Sequence, residues 1–166
     1  LNAGSCISYS QGFGMEDRKL TLKGEGYFEV EKDPKMPFRI YTPEVSLQVL
    51  GTKFNFRNYP DDKEVTVSLI EGNVALHNEI KKMNDLQLNP DERMTLDKET
   101  GEMHKSKFKV ENTRLWTKDE LFFDEDLLED IAKRLMRSYN VQIEVEDSLK
   151  DKRFYGSFKI TGNTIE

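Results

Sequence analysis

Two histidines, His77 and His104, one cysteine, Cys6, and a run of carboxylates at Asp124, Glu125, Asp126, Glu129 and Asp130 are the residues whose types could do chemistry. Histidine and carboxylate ligands on a β-roll would make a metal site, which needs a closely spaced pair of histidines with a carboxylate on one strand. No H-x-H or H-x-x-H occurs, so metal binding is not expected. The acidic run could suggest acid–base chemistry or a Ca²⁺ loop. It has no Ca²⁺-loop spacing, and its place ahead of an apolar helical stripe explains it as a helix start: Asp124 as the N-cap, Glu125 and Asp126 in the first turn. Cys6 has no partner for an internal disulfide and is read as a small buried hydrophobe in an N-terminal strand. There is no G-x-S-x-G and no phosphate-binding glycine loop. The chain is expected to be no enzyme and to carry no metal or cofactor.

Protein binding is the better-motivated chemistry. Arg134, Arg137 and Tyr139 fall late in the expected helix, beside strands beginning at Val141 and Phe154, where a partner could extend a sheet edge by strand addition. Phe154, Tyr155 and Phe158 supply the aromatic area that anchors interfaces. Trp116 is read as pinning the linker between two modules.

These residues need a scaffold, and composition bounds it. The 166 residues are 36% hydrophobic and 34% charged, enough for one good core and a small second one. Ten Phe, six Tyr and one Trp exclude a disordered chain. A net charge of -6, with signs interleaved as in Asp62-Lys63-Glu64, excludes non-specific nucleic-acid binding. No apolar run approaches the ~20 residues that span a bilayer, and no signal peptide is present. The opening Leu1-Asn2-Ala3-Gly4-Ser5 reads as the inside of a structured segment, so the chain is expected to be part of something longer.

From Leu20 to about Val110 short alternating runs are punctuated by turn residues. Val45, Leu47 and Val49 alternate with Ser46 and Gln48; Phe54 and Phe56 flank Asn55; Val65, Val67 and Leu69 alternate with Thr66 and Ser68. Val74 and Leu76, Leu86 and Leu88, Met94 and Leu96 continue the series. This spacing predicts an antiparallel β-sandwich or roll over residues 1–110. Gly51 reads as a bulge or corner, Gly72 as the positive-φ residue of a tight hairpin. Asn89-Pro90-Asp91-Glu92 and Glu99-Thr100-Gly101-Glu102 read as turns. After a linker at about 110–117, Leu121-Phe122-Phe123 reads as a strand. Leu127, Leu128, Ile131, Ala132, Leu135 and Tyr139 form the apolar stripe of a helix, with Asn140 as a left-handed cap. Val141, Ile143 and Val145 alternate as a strand, and Phe154 to Ile160 make another. Residues 111–166 are therefore expected to form a truncated βαββ module, with Asn163-Thr164-Ile165-Glu166 starting a further helix. The fold class expected is mainly β: an antiparallel sandwich or roll followed by a small α+β module.

Several blocks, in order, resemble the FecR domain. They are Leu1-Asn2-Ala3-Gly4-Ser5, Leu22-Lys23-Gly24-Glu25-Gly26-Tyr27-Phe28-Glu29-Val30, Pro37-Phe38, Val49-Leu50-Gly51-Thr52-Lys53-Phe54-Asn55-Phe56, and Leu69-Ile70-Glu71-Gly72-Asn73-Val74. Leu88-Asn89-Pro90-Asp91-Glu92 stands where that family has L-x-P-G-E, so Asp91 replaces a glycine; Gly26 stands where alanine is common. Trp116, Leu121 to Phe123, the helix from Leu127 to Tyr139, Val141-Gln142-Ile143 and Phe154 to Phe158 resemble the C-terminal domain that accompanies FecR domains in Bacteroidetes-type proteins. That domain is itself similar to the short N-terminal domains of secretins and TonB-dependent transducers.

The resemblance implies the periplasmic, signal-receiving part of a single-pass inner-membrane anti-sigma regulator. Its implied partners are the N-terminal signalling domain of an outer-membrane TonB-dependent transducer and, through a cytoplasmic segment not in this chain, an extracytoplasmic-function sigma factor. Two rival readings remain: a carbohydrate-binding β-domain, which requires an exposed row of aromatics on one sheet face, and a metal-dependent periplasmic enzyme. The Tyr and Phe residues alternate in phase with aliphatics, which favours core over an exposed row.

Overall fold

A computed structural model describes residues 1–113 and 115–159. The expected strand from Phe154 runs to Lys159; Ile160 and the expected helix start at Asn163 to Glu166 lie outside the described residues. The chain divides into two compact units, one of Leu1 and Ser5–Val110, the other of Asn2–Gly4 and Glu111–Glu166.

The first unit holds ten strands: β1 (Cys6–Tyr9), β2 (Arg18–Val30), β3 (Phe38–Tyr41), β4 (Val45–Val49), β5 (Thr52–Asn58), β6 (Glu64–Glu71), β7 (Val74–Asn78), β8 (Leu86–Leu88), β9 (Glu92–Asp97) and β10 (Met103–Lys107). They form one curled sheet in the order β10-β9-β6-β5-β2-β3-β4-β7-β8, with β1 also on β2. The alternation read from the sequence places every second residue inward. Ile40, Val45, Phe54, Phe56, Val65, Val67, Leu69, Val74, Leu76, Leu88, Met94 and Leu96 are fully buried. Phe28 stacks on Phe54 with ring centroids 5.2 Å apart, closing the centre of the core.

The curl originates in β2. Thirteen residues of straight strand would span about 43 Å, yet Arg18 near one end donates to Glu31 O at 3.0 Å just past the other. Residues Leu20 to Lys23 pair with β1, whereas Gly24 to Val30 pair with β5. The change of partner falls on Gly24, whose φ of 103° and close approach to Ser5 exclude a side chain. Arg18 also donates to Met36 O and Asp33 O, holding the 31–37 connection so that β3 returns parallel to β2. This one parallel pair departs from the all-antiparallel expectation, because the bent strand brings the crossover's two ends within reach.

Gly72 has φ 92°, as expected, but not in a hairpin: β6 pairs with β5 and β9, and β7 with β4 and β8. The chain turns a corner there between the two halves of the curled sheet. A Cβ on Gly72 would stand 2.6 Å from Gly51 O, so the two corners pack backbone to backbone, joined by Thr52 Oγ1 donating to Asn73 O at 3.0 Å. Asp91 adopts φ 66°, a left-handed conformation that favours glycine and that aspartate tolerates. Cys6 is exposed, contrary to expectation. On β1 the inward parity belongs to Ile7, and Cys6 points out.

In the second unit a helical turn α1 (Val110–Thr113) and a 3₁₀ turn (Leu115–Lys118) lead into β11 (Glu120–Leu127), α2 (Leu128–Tyr139) and β12 (Arg153–Lys159). β11 and β12 form an antiparallel pair, and α2 covers one face through Leu121, Phe123 and Ile131, with Leu135 and Phe158 alongside. Two expectations need correcting. The helix starts at Leu128, four residues after Asp124, with Leu127 as an N-cap that makes no side-chain bond. The local capping signal at Asp124 is overridden by the β-ladder, which continues through a bulge at Glu125 (φ 58°) to Leu127 opposite Arg153. Val141, Ile143 and Val145 form no strand: among the described residues nothing pairs with them, and alternation without a ladder partner makes no sheet. Asn140 does cap the helix in the left-handed conformation (φ 53°, ψ 45°), donating its N–H to Met136 O.

Candidate functional site

The residues expected to meet a partner all lie in the second unit, but the fold distributes them over two faces of its sheet. Along β12 side chains alternate. Phe154 and Phe158 share the face that α2 covers, and Tyr155 projects from the other. Phe158 is half-buried against the small core and meets Tyr139 edge-on at 6.3 Å. Arg134 is committed within the unit: it pairs with Asp126 at 2.7 Å, lies 4.7 Å over the Phe123 ring, and its side chain is only 19% exposed. This desolvated cation–π and ion pair is an architectural role. Arg137 lies half-buried in the last turn of α2, where its charge complements the helix dipole.

Phe154 and Tyr155 are the exposed members, 47% and 72%, one on each face of the sheet. Tyr155 packs edge-on against Phe122 of β11 at 5.6 Å. Phe122 was not singled out from the sequence. Its parity opposite to Leu121 and Phe123 was the available signal, since both neighbours are core and it must face the other way. Gly156, next to Tyr155, has no atom of the described residues within 4 Å of where a Cβ would be.

The acidic run is partly spoken for. Asp126 holds Arg134, Glu129 and Asp130 approach Lys133 at 3.7 and 3.6 Å, and Asp124 and Glu125 are exposed on the bulge. In the first unit His77 Nδ1 lies 2.8 Å from Asp85, a hydrogen bond that raises the imidazole above its ordinary pKa, while His104 lies 3.9 Å from Glu102. Among the described residues no three His, Cys, Asp or Glu side chains gather at metal-ligand spacing. Glu92 is held below the usual carboxylate range by the Asn89 N–H and then Lys105; Asp97 is held there by Thr100's backbone and hydroxyl donors. Burial lowers Lys98, whose ammonium donates to Tyr59 O across the loops at one end of the sheet. Each of these groups fastens a turn. Among the described residues no helix is long and apolar enough to cross a membrane.

Residues 1–75 match the model of the FecR protein family, and residues 120–166 match the model of the FecR C-terminal region. No curated protein matches at the significance required. Two crystal structures of a candidate anti-sigma factor from Parabacteroides distasonis ATCC 8503, at 1.65 Å and 2.50 Å, superpose on 98% of this chain with a TM-score of 0.88 and 26% identity. The superposition takes in 76% and 75% of those chains. With a mainly β fold shared along nearly its whole length, and both family models matched in their proper order, this chain belongs to the FecR family.

Proposed function

We propose that this chain is the signal-receiving region of an anti-sigma regulator, and that its second unit is the surface that meets the signalling partner. Membership of the FecR family and the likeness to a candidate anti-sigma factor support the regulatory role. The reading extends this to a periplasmic location, in a parent protein held by a single span in the inner membrane. The partner is the N-terminal domain of a TonB-dependent outer-membrane transducer, and the sigma factor is bound by a cytoplasmic segment outside this chain.

The observation that carries the reading is the two-stranded sheet of β11 and β12, whose β12 exposes Phe154 on one face and Tyr155 on the other. An exposed strand pair with aromatics beside it suits strand addition, with main-chain bonds supplying affinity and the rings supplying anchors. Arg137 and Tyr139 of α2 lie on the same side of the sheet as Phe154, and Arg134 and Phe158 are packed within the unit. Signalling by such a module requires only that the partner favour one arrangement of the regulator over another. Calorimetric titration with the transducer's N-terminal domain tests the proposal. Binding that weakens at least tenfold, about 1.4 kcal/mol, in the Phe154→Ala, Tyr155→Ala double variant is expected. Equal affinity in a folded double variant would remove this surface from the account.

A further inference from the structure

The first unit carries a second surface, independent of the one above, where β4 ends and β5 begins. The chain corners at 49–52 and 71–73 pack against each other there. With Lys32, Gln48, Ala75 and Gln87 they line a depression of about 500 Å³. In-register pairing over β3, β4, β7 and β8 sets Arg39, Gln48, Ala75 and Gln87 in one row. Their chain neighbours Ile40, Leu47, Val49, Leu76 and Leu88 are core, so this row faces outward.

Two cations stand here without anions. Lys32 makes no ion pair or hydrogen bond among the described residues. Arg39 donates through Nε to Gln48 Oε1 at 2.8 Å, and its Nη groups meet no acceptor among the described residues. Glu71, which lines the depression, is already held by Lys53 at 2.9 Å. The chain as a whole carries a net charge of -6, so this local positive excess marks where an anionic ligand can approach. Its pull reaches about one Debye length, roughly 8 Å at physiological salt.

The other lining groups narrow the ligand class. Leu50 is 43% exposed and offers an apolar contact, with Ala75 a smaller one. The carboxamides of Gln48, Asn73 and Gln87 both donate and accept, as a peptide main chain requires. A small inorganic anion would use the cations and leave the rest idle. An extended peptide uses all three features. We propose that this depression docks an extended acidic segment of a partner protein, with its carboxylates on Lys32 and Arg39, an apolar side chain on Leu50 and Ala75, and its main chain on the carboxamides.

The test is a ¹H–¹⁵N NMR titration of the 166-residue chain. The probes are acetyl-Glu-Leu-Glu-Leu-Glu-amide, its neutral counterpart acetyl-Gln-Leu-Gln-Leu-Gln-amide, and inorganic phosphate, each up to about 5 mM. Expected are shifts at Lys32, Gln48, Leu50, Gly51 and Ala75 with the acidic peptide, weakening several-fold between about 0.05 and 0.5 M NaCl. The double variant Lys32→Gln, Arg39→Gln should lose about tenfold in affinity, and Leu50→Ala about two- to threefold. Tyr155→Ala, in the other unit, should bind like the parent. The proposal fails if these resonances do not shift, if the glutamine peptide binds as well, or if the double variant binds like the parent. It fails equally if phosphate shifts the same resonances to the same extent, which would leave a general anion patch.

Discussion

The two units of this chain use the same alternating pattern at very different scales. The first closes ten strands around seventeen buried apolar residues, so nearly every inward side chain is fully enclosed. The second lays one helix on two strands and fully buries only a handful, with Leu121, Phe123 and Ile131 at its centre. A large core fixes geometry through packing, and a small one leans on specific polar and aromatic contacts. The first unit therefore suits a rigid scaffold. The second suits a surface whose strands a partner can reach.

The sharpest way to break this contrast is at the scaffold's centre. Phe54→Ala should cost about 3–5 kcal/mol in denaturant unfolding, because Phe54 is wholly buried and stacked on Phe28. At the corner, Gly72→Ala should cost about 2–3 kcal/mol, combining a positive φ with a Cβ driven against Gly51 O. A smaller loss, about 1–2 kcal/mol, is expected for Arg134→Ala, which removes the Asp126 pair and the contact over Phe123. Amide exchange should place that loss in the second unit alone; a matching loss of protection in β5 or β6 would contradict the division of labour. Asp91→Gly should be neutral or stabilising by up to about 1 kcal/mol, since glycine relieves the left-handed strain at φ 66° but adds freedom to the unfolded chain.

The smallest effect is electrostatic. Glu92 and Asp97 have folded pKa values below their unfolded ones, so their contribution is present above about pH 4 and is lost as pH falls through the folded values. His77 is raised, so its contribution is present below about pH 6.5 and is lost as pH rises through the folded value. Replacing Asp97 with Asn should flatten the acid limb of the stability–pH curve. An unchanged limb would assign acid sensitivity to other carboxylates.

What was legible in the sequence follows the same division. Inward alternation at Val45-Leu47-Val49 and Val65-Val67-Leu69 declared the first unit, because one buried face forces period two. The curl at Gly24 and the parallel β2–β3 pair were not legible: both depend on which distant strands β2 meets, and local pattern carries no partner identity. In the second unit the capping signal at Asp124 misplaced the helix start, since a β-ladder with Arg153 and Phe154 outweighs one local hydrogen bond. The alternation at Val141 to Val145 suggested a strand for which no ladder partner is described. Of the candidate docking residues, Phe154 and Tyr155 are exposed, whereas Phe158 packs against the small core. Arg134 could not be placed from sequence, because its commitment to Asp126 and Phe123 is a product of tertiary packing.

The proposed division of the chain into scaffold and receiver is tested most directly by hydrogen exchange of the chain mixed with the N-terminal domain of a TonB-dependent transducer, the partner proposed above. New protection is expected in Glu120–Leu127 and Arg153–Lys159, with the amides of β5, β6 and β9 unchanged. Protection confined to the ten-stranded unit, with β11 and β12 exchanging as in the free chain, would contradict it.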